Sequence, residues 1–278
     1  RVQPAYEYEP ETIAYMEAML ISDDSTVYFS STIYERTGNQ IWLAFDDFYK
    51  LVKTYYGLPL GVNNISTVFD AMYAFFGTSS NTAKFNIVNP LDTNGAFRLT
   101  FSGGWTFSGA GAQPNGTNGY ANTYWESASN AATNRVSYGG YKNIADTTGV
   151  HGVWDLTNAT RLYDQINTAA GVYTIGNNGG LNTASPYTRF HAIAVRAAGT
   201  KTFSNNTIRL NAGVLSYTTL NRPFYIGARN NNNASVNQYT NGRLAFYYIT
   251  GKVELSDTDV LNLNAAVDQL MLDLGRNV

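Results

Sequence analysis

The spacing of apolar residues changes once along this chain, near residue 85, and that change limits what the chain can fold into. Before it, apolar residues recur with the period of a helix. In "EPETIAYMEAMLIS", Pro10 suits a first helical turn, and Ile13, Met16 and Leu20 fall on one side. "NQIWLAFDDFYKLVKTYYG" places Ile41, Phe45, Phe48, Val52 and Tyr55 on one face and stops at Gly57, while "ISTVFDAMYAFFG" predicts a third helix over Ile65 to Phe76. From Phe85 the period falls to two. Phe97, Leu99 and Phe101 alternate with Arg98 and Thr100, the pattern of a strand buried on one face. Short runs of this kind recur at "NRVSYGGY", "GVYTIG", "FHAIAVR", "NTIRLN", "PFYIGAR" and "RLAFYYIT", separated by Gly, Asn, Ser and Thr. Many short strands at that spacing predict a mainly β chain, an antiparallel jelly-roll sandwich and not alternating βα units. A closing helix follows over 256–274, with Ser256 and Asp259 as a capping box and Val260, Leu263, Val267, Leu270 and Leu274 as its apolar stripe. The domains expected are a helical docking segment, 1–84, and a sandwich with its closing helix, 85–278.

Charge is scarce on this chain. Only 14% of its 278 residues are charged, against about 25% in ordinary soluble domains. Neutral hydrogen-bonding residues take their place: Asn, Ser, Thr and 21 Tyr against 14 Phe. Such a surface suits neutral partners such as sugars or other protein. A net charge of -2 removes the general attraction to phosphate, so no nucleic-acid partner is expected. With no cysteine there is neither a disulfide framework nor a thiolate metal site. No apolar run reaches membrane-spanning length, and "RVQPAYEYEP" does not have the pattern of a signal peptide. Because the sequence opens at Arg, the chain is expected to be a processed or truncated part of something longer.

The usual reactive constellations are missing. A sandwich hydrolase commonly holds two carboxylates across its cleft, but Glu126, Asp146, Asp155 and Asp164 are expected in loops, and no Glu-x-Asp-x-Glu pattern occurs. Asp46 and Asp47 fall inside a helix beside Lys50, where a solvated face with an i to i+4 partner is expected. His191 shares a strand face with Ile193 and Val195 and reads as a core histidine; His151 is expected in a loop. "NPLDTNG" is better read as Asx turns than as a calcium loop, and neither "TFSGAG" nor "YTIGNNGG" completes a nucleophile elbow or a phosphate loop. No catalytic residue, metal or cofactor is assigned. What remains is surface. Trp105, Trp125, Trp154 and Tyr120 lie in or beside glycine-rich segments, where aromatic faces flanked by amides can hold sugar rings, although a sandwich Trp more often belongs to the core. The candidate ligand-binding residues are Tyr120, Trp125, Trp154, Asn231 and Asn232, the two Asn from the run "NNNN" at 230–233, which reads as a loop.

Two resemblances extend this reading. "RPFYIGARNNNNASVNQYTNGRLAFYYITGKVELSDTDVLNLNAAVDQL" resembles the closing segment of concanavalin-like and laminin-G-like jelly-roll domains. "EYEPETIAYMEAM", the block "DAMYAFFGTSSNTAKFNIVNPLDTNGAFRLTFSGGWTFSGAGAQPNGTNGYANT" and the ending "LGRNV" resemble a family of bacteriophage virion proteins found in phages of Bacteroidota and in large marine phages. The chain departs from that family around residues 25–64 and from 126 to 220. The resemblance implies a non-enzymatic component of the virion surface, in a fibre, a tail or on the capsid. Other virion proteins and copies of itself would be its partners, host-surface glycan its ligand, and membrane insertion no part of its action. A purely structural virion role, a bacterial surface adhesin and a polysaccharide-degrading enzyme are the alternatives. In "GGWTFSGAGAQPNGTNGYANT" a strand pair is expected whose turns are Asn115-Gly116 and Asn118-Gly119, with Trp105 plugging the sandwich.

Overall fold

The computed structural model describes residues 8–22, 39–132, 135–144, 151–155, 160–166, 171–175, 181–183, 188–205, 207–212, 219–231 and 235–277. They form a mainly β structure, two packed antiparallel sheets of jelly-roll type with helices on one side. The first sheet runs in the order β13 (Thr207–Ala212), β12 (Thr200–Ser204), β11 (Arg189–Val195), β6 (Val136–Ile144), β17 (Arg243–Thr250), β4 (Gly111–Pro114) and β3 (Trp105–Ser108), and β1 (Ala71–Tyr73) also pairs with β17. The second runs β10 (Leu181–Thr183), β9 (Gly171–Ile175), β8 (Thr160–Ile166), β7 (His151–Asp155), β14 (Pro223–Ile226), β5 (Tyr120–Glu126) and β2 (Thr100–Ser102). A hairpin of β15 (Arg229–Asn231) and β16 (Ser235–Asn237) joins it, with β15 parallel to β7.

The two faces of the first sheet belong to two cores. Between the sheets, Tyr138, Ile193, Val195, Tyr247 and Ile249 meet Ala121, Trp125, Val153, Leu162, Phe224 and Ile226. On the other face, Tyr141, Phe190, Ala192, Phe246 and Tyr248 pack with the helices α1 (Pro10–Ser22), α2 (Asn39–Tyr55) and α5 (Asp257–Asp273); the one-turn helices α3 (Ser80–Ala83) and α4 (Ser127–Asn130) lie between α2 and α5 in sequence. This explains why β17 reads "RLAFYYIT" without polar alternation: both faces are covered, so nearly every position is apolar and buried. A boundary at residue 84 passes through this second core, because Trp42, Phe45 and Phe48 share it with Phe246 and Leu263. Among the described residues no helix is long and apolar enough to cross a membrane.

Several local expectations hold. Gly57 stops α2 at φ 65, with Leu58 N–H donating to Lys53 O at 2.8 Å in the helix-ending pattern that left-handed glycine permits. Ser256 caps α5, its hydroxyl accepting from Asp259 N–H at 3.1 Å while the Asp259 carboxylate accepts from Ser256 N–H at 2.7 Å. Other expectations are corrected. Residues 65–76 are not a helix: a 3-10 turn over Ile65–Thr67 leads into β1, where Ala71 and Tyr73 face the inter-sheet core and Met72 the helical core. A run that is apolar on all sides carries no period to separate helix from strand. The strand expected from Phe97 starts only at Thr100, because Phe97 ends a 3-10 turn at φ 58. The hairpin in "GGWTFSGAGAQPNGTNGYANT" is β3–β4, turning at Gly109 and Ala110; the two Asn-Gly pairs build the corner that carries the chain from β4 to β5 in the other sheet.

His151 and the acidic residues also differ from expectation. His151 is not in a loop but in β7, fully buried, its Nδ1 accepting from Gly227 N–H at 2.8 Å beside the Tyr247 ring. His191 is buried at 5% exposure, as a core residue. Glu126, Asp155 and Asp164 are strand positions, and Asp146 lies outside the described residues. Asp46 has its i to i+4 partner, Lys50, at 2.6 Å, but its side chain is buried, accepting from Glu9 N–H at 2.5 Å and from Thr12 Oγ1 at 3.2 Å. Helix α1 covers the face that its sequence alone leaves to water.

Candidate functional site

The helices cover the outer face of the first sheet, and among the described residues no such layer covers the corresponding face of the second around β5 and β14. Strand β5 alternates strictly: Ala121, Thr123 and Trp125 are buried, while Tyr120, Asn122, Tyr124 and Glu126 are half-buried on the outer side. Next to it, β14 buries Phe224 and Ile226 and turns Tyr225 outward, paired in register with Asn122. The Tyr120 and Tyr225 rings stack at 4.9 Å between centroids and 23° between planes. Beside them the Tyr124 hydroxyl lies 2.9 Å from Thr100 Oγ1 of β2. Asn122 Oδ1 accepts from Tyr124 N–H at 2.8 Å, which holds Tyr124 at φ 58. Burial, with Tyr120 and Tyr124 nearby, pushes the Tyr225 hydroxyl above its ordinary 10.0, so it remains an uncharged donor at neutral pH. The face therefore offers apolar rings edged by amide and hydroxyl groups, with Glu126 at the end of β5.

The corner below this face is held by amides. Asn115 Oδ1 accepts from the backbone N–H groups of Thr117, Asn118 and Gly119 at 3.0, 3.0 and 3.1 Å, and its Nδ2 donates to Asn118 Oδ1 at 2.9 Å. Asn118 Oδ1 also accepts from Gly104 N–H at 2.9 Å. Trp105 is half-buried against the inter-sheet core, with its Nε1–H shared between the carbonyls of Ser102 and Tyr120 at 3.2 Å each. The corner thus spends its Asn115 and Asn118 amides on itself and presents Tyr120 from a hydrogen-bonded base.

The five sequence candidates separate. Tyr120 is on the outer face with Tyr225, a partner the sequence did not single out. Trp125 is corrected: at 1% exposure, with Nε1 donating to Asp70 Oδ2 at 3.1 Å, it is a core residue between the sheets and meets no ligand. The inward half of the β5 alternation places it there. Trp154 and Asn231 are backbone partners in the parallel β7–β15 pair, although the Trp154 side chain lies outside the described set. Asn231 is half-buried and donates to Ser235 Oγ at 3.2 Å. Asn232 lies outside the described residues. The run at 230–233 is not simply a loop, since Asn230 and Asn231 belong to β15 and the buried Asn230 amide donates to Pro223 O at 2.9 Å. Tyr225, Tyr124 and Asn122 were legible only from the alternation in "YANTYWE" and "PFYI", which marks them as outward-facing without saying that they meet.

No protein-family model and no curated protein matches the chain. Solved structures resemble it in fold. Domain 4 of an extracellular arabinanase from Geobacillus stearothermophilus, in complex with arabinotriose, aligns at 13% identity and a TM-score of 0.48, over 70% of this chain and 98% of that one. A Trypanosoma rangeli sialidase in complex with 2,3-difluoro-KDN aligns at 10% identity and a TM-score of 0.50, over 82% of this chain and 40% of that one. At such identity the sialidase likeness shows the β-sandwich fold.

Proposed function

We propose that the protein is a non-enzymatic exterior component of a bacteriophage virion that adheres to host-surface glycan through the outer face of its second sheet. The observation that carries this reading is the neutral surface of Tyr120, Tyr225, Tyr124 and Asn122, on a sheet face that the described helices leave open. Sugar rings stack their C–H faces on such aromatics while amides and hydroxyls read their hydroxyl groups. Affinity per site is modest, and display in several copies supplies avidity. Glu126 is the carboxylate that β5 brings to this face, and β14 brings none to pair with it, which favours binding over hydrolysis.

The test displays the protein multivalently on a glycan array and on host polysaccharide, beside Tyr120→Ala and Tyr225→Ala variants whose folding is checked by circular dichroism. Binding that is lost at least tenfold in both folded variants supports the reading. No binding by the multimer, or binding indifferent to both substitutions, removes it. A purely structural virion role is favoured by Leu60 and Val62, 54% and 51% exposed in one loop and suited to a subunit contact. A map of the assembled particle separates the two, since adhesion requires the second sheet to face outward.

A further inference from the structure

Three charged side chains meet inside the helical layer. Glu9, just before α1, and Glu11, in its first turn, both reach Lys53 of α2: Nζ lies 2.6 Å from Glu9 Oε2 and 2.7 Å from Glu11 Oε2, and donates to Val62 O at 2.8 Å. Side-chain exposure is 0% for Lys53, 5% for Glu9 and 1% for Glu11. The two carboxylates are not equivalent. Glu11 Oε1 accepts from the consecutive backbone N–H groups of Asn64 and Ile65, at 3.1 and 3.4 Å, while Glu9 Oε2 accepts from Gly61 N–H at 2.9 Å. An isolated interior ion pair breaks even at best, and here two carboxylates share one ammonium.

We propose that this cluster is a self-modification site, where Lys53 Nζ and Glu11 Cδ condense to an amide with Glu9 as the proton shuttle. The Lys53 ammonium passes one proton to Glu9 Oε2, in hydrogen-bond contact, and Glu9 hands it on to Glu11 Oε2, so that a neutral carboxyl faces a neutral amine. Its lone pair attacks Glu11 Cδ, held at van der Waals range by the same geometry. Negative charge develops on Glu11 Oε1, where the Asn64 and Ile65 N–H groups already point, the arrangement of an oxyanion hole. Glu11 Oε2, already protonated, then departs as water with a second proton that Glu9 relays from the amine nitrogen. Glu9 returns to a carboxylate, and no oxidant, metal or external reagent is needed. Two interior charges disappear, and the water-poor site disfavours hydrolysis of the product. The product ties α1 to α2 by a covalent bond, which suits an element that must not peel away under load.

Intact mass spectrometry of the full chain tests this. The wild type is expected to be lighter than its sequence mass by one water. Its tryptic digest should contain a branched peptide joining the segment with Glu11 to the segment with Lys53, uncut at Lys53. Lys53→Arg and Glu9→Gln should each show the full mass of their own sequence. A folded wild type at its full sequence mass overturns the proposal. Loss of water that persists in Lys53→Arg overturns the site, and loss that persists in Glu9→Gln overturns the shuttle. The wild-type mass and peptide map decide the matter even if a variant fails to fold.

Discussion

Asp70 joins the two sheets through one carboxylate, and its replacement by alanine makes a demanding test. The side chain precedes β1 and is 2% exposed. Oδ2 accepts from Trp125 Nε1 of the second sheet at 3.1 Å and from Gly251 N–H, just past β17 of the first, at 2.8 Å, while Lys252 Nζ lies 3.7 Å from Oδ1. Asp70→Ala leaves both interior donors without an acceptor, and each such loss costs about 1–3 kcal/mol. Relief from burying a carboxylate offsets the upper end, which leaves about 2–4 kcal/mol, or a fall of roughly 3–7 °C in Tm for a chain of this size. Asp70→Asn keeps an oxygen for both donors and sheds the charge, so its cost at neutral pH should be under about 1 kcal/mol. Urea unfolding with an unchanged m-value measures both. An alanine variant within about 1 kcal/mol of the wild type, or an asparagine variant as damaged as the alanine one, refutes the two-donor account.

The pH dependence follows from the same site. Burial raises the Asp70 pKa above its ordinary 3.8, opposed by the hydrogen bonds from Gly251 and Trp125 and by the charge of Lys252. A carboxyl that holds its proton more tightly when folded contributes stability below pH 3.8 and loses that contribution as pH rises through its folded value. The stability difference between wild type and Asp70→Asn should therefore move in favour of the wild type as pH is lowered through that window; a difference flat with pH contradicts it.

Further outcomes can be checked by the same unfolding measurements. Trp125→Ala should cost about 3–5 kcal/mol, as expected for emptying a large core site. Gly103→Ala should destabilise and disturb the corner, because Gly103 has φ 70 and an added Cβ would lie 2.0 Å from Asn118 O. Ser256→Ala should cost about 1 kcal/mol by removing the cap of α5. Asp92, whose pKa is lowered chiefly by its hydrogen bond from Lys84, contributes stability above pH 3.8 and loses it as pH falls through its folded value; at 50% exposure, Asp92→Asn should cost under about 1 kcal/mol at neutral pH.

Where a segment has one wet face, its sequence revealed its structure; where both faces are dry, it did not. Strand β5 shows the first case in part: "YANTYWE" alternates between surface and core in the structure, with Tyr120 outward, although with Thr123 buried and two Tyr half-buried its spacing alone leaves Tyr120 and Trp125 free to face either way. Trp125 belongs to the same alternation, on its inward half. Strand β1 shows the second case. Its residues are buried against the helices on one side and the second sheet on the other, and "DAMYAFF" therefore has no period to read. The site was legible only in part for a related reason. A strand pattern reports which face a residue occupies, not which strand lies beside it, so Tyr120 could be found without Tyr225, 105 positions further on, until the order β14–β5 set them in contact. The Glu9, Glu11 and Lys53 cluster was hidden more deeply. Each is a charged residue in or beside a helical segment, where charge ordinarily means solvent, and only the packing of α1 on α2 removes the water from all three. Residues whose chemistry depends on being dry cannot be recognised from a pattern that assumes they are wet, which makes that cluster the place where the structure adds most to the sequence.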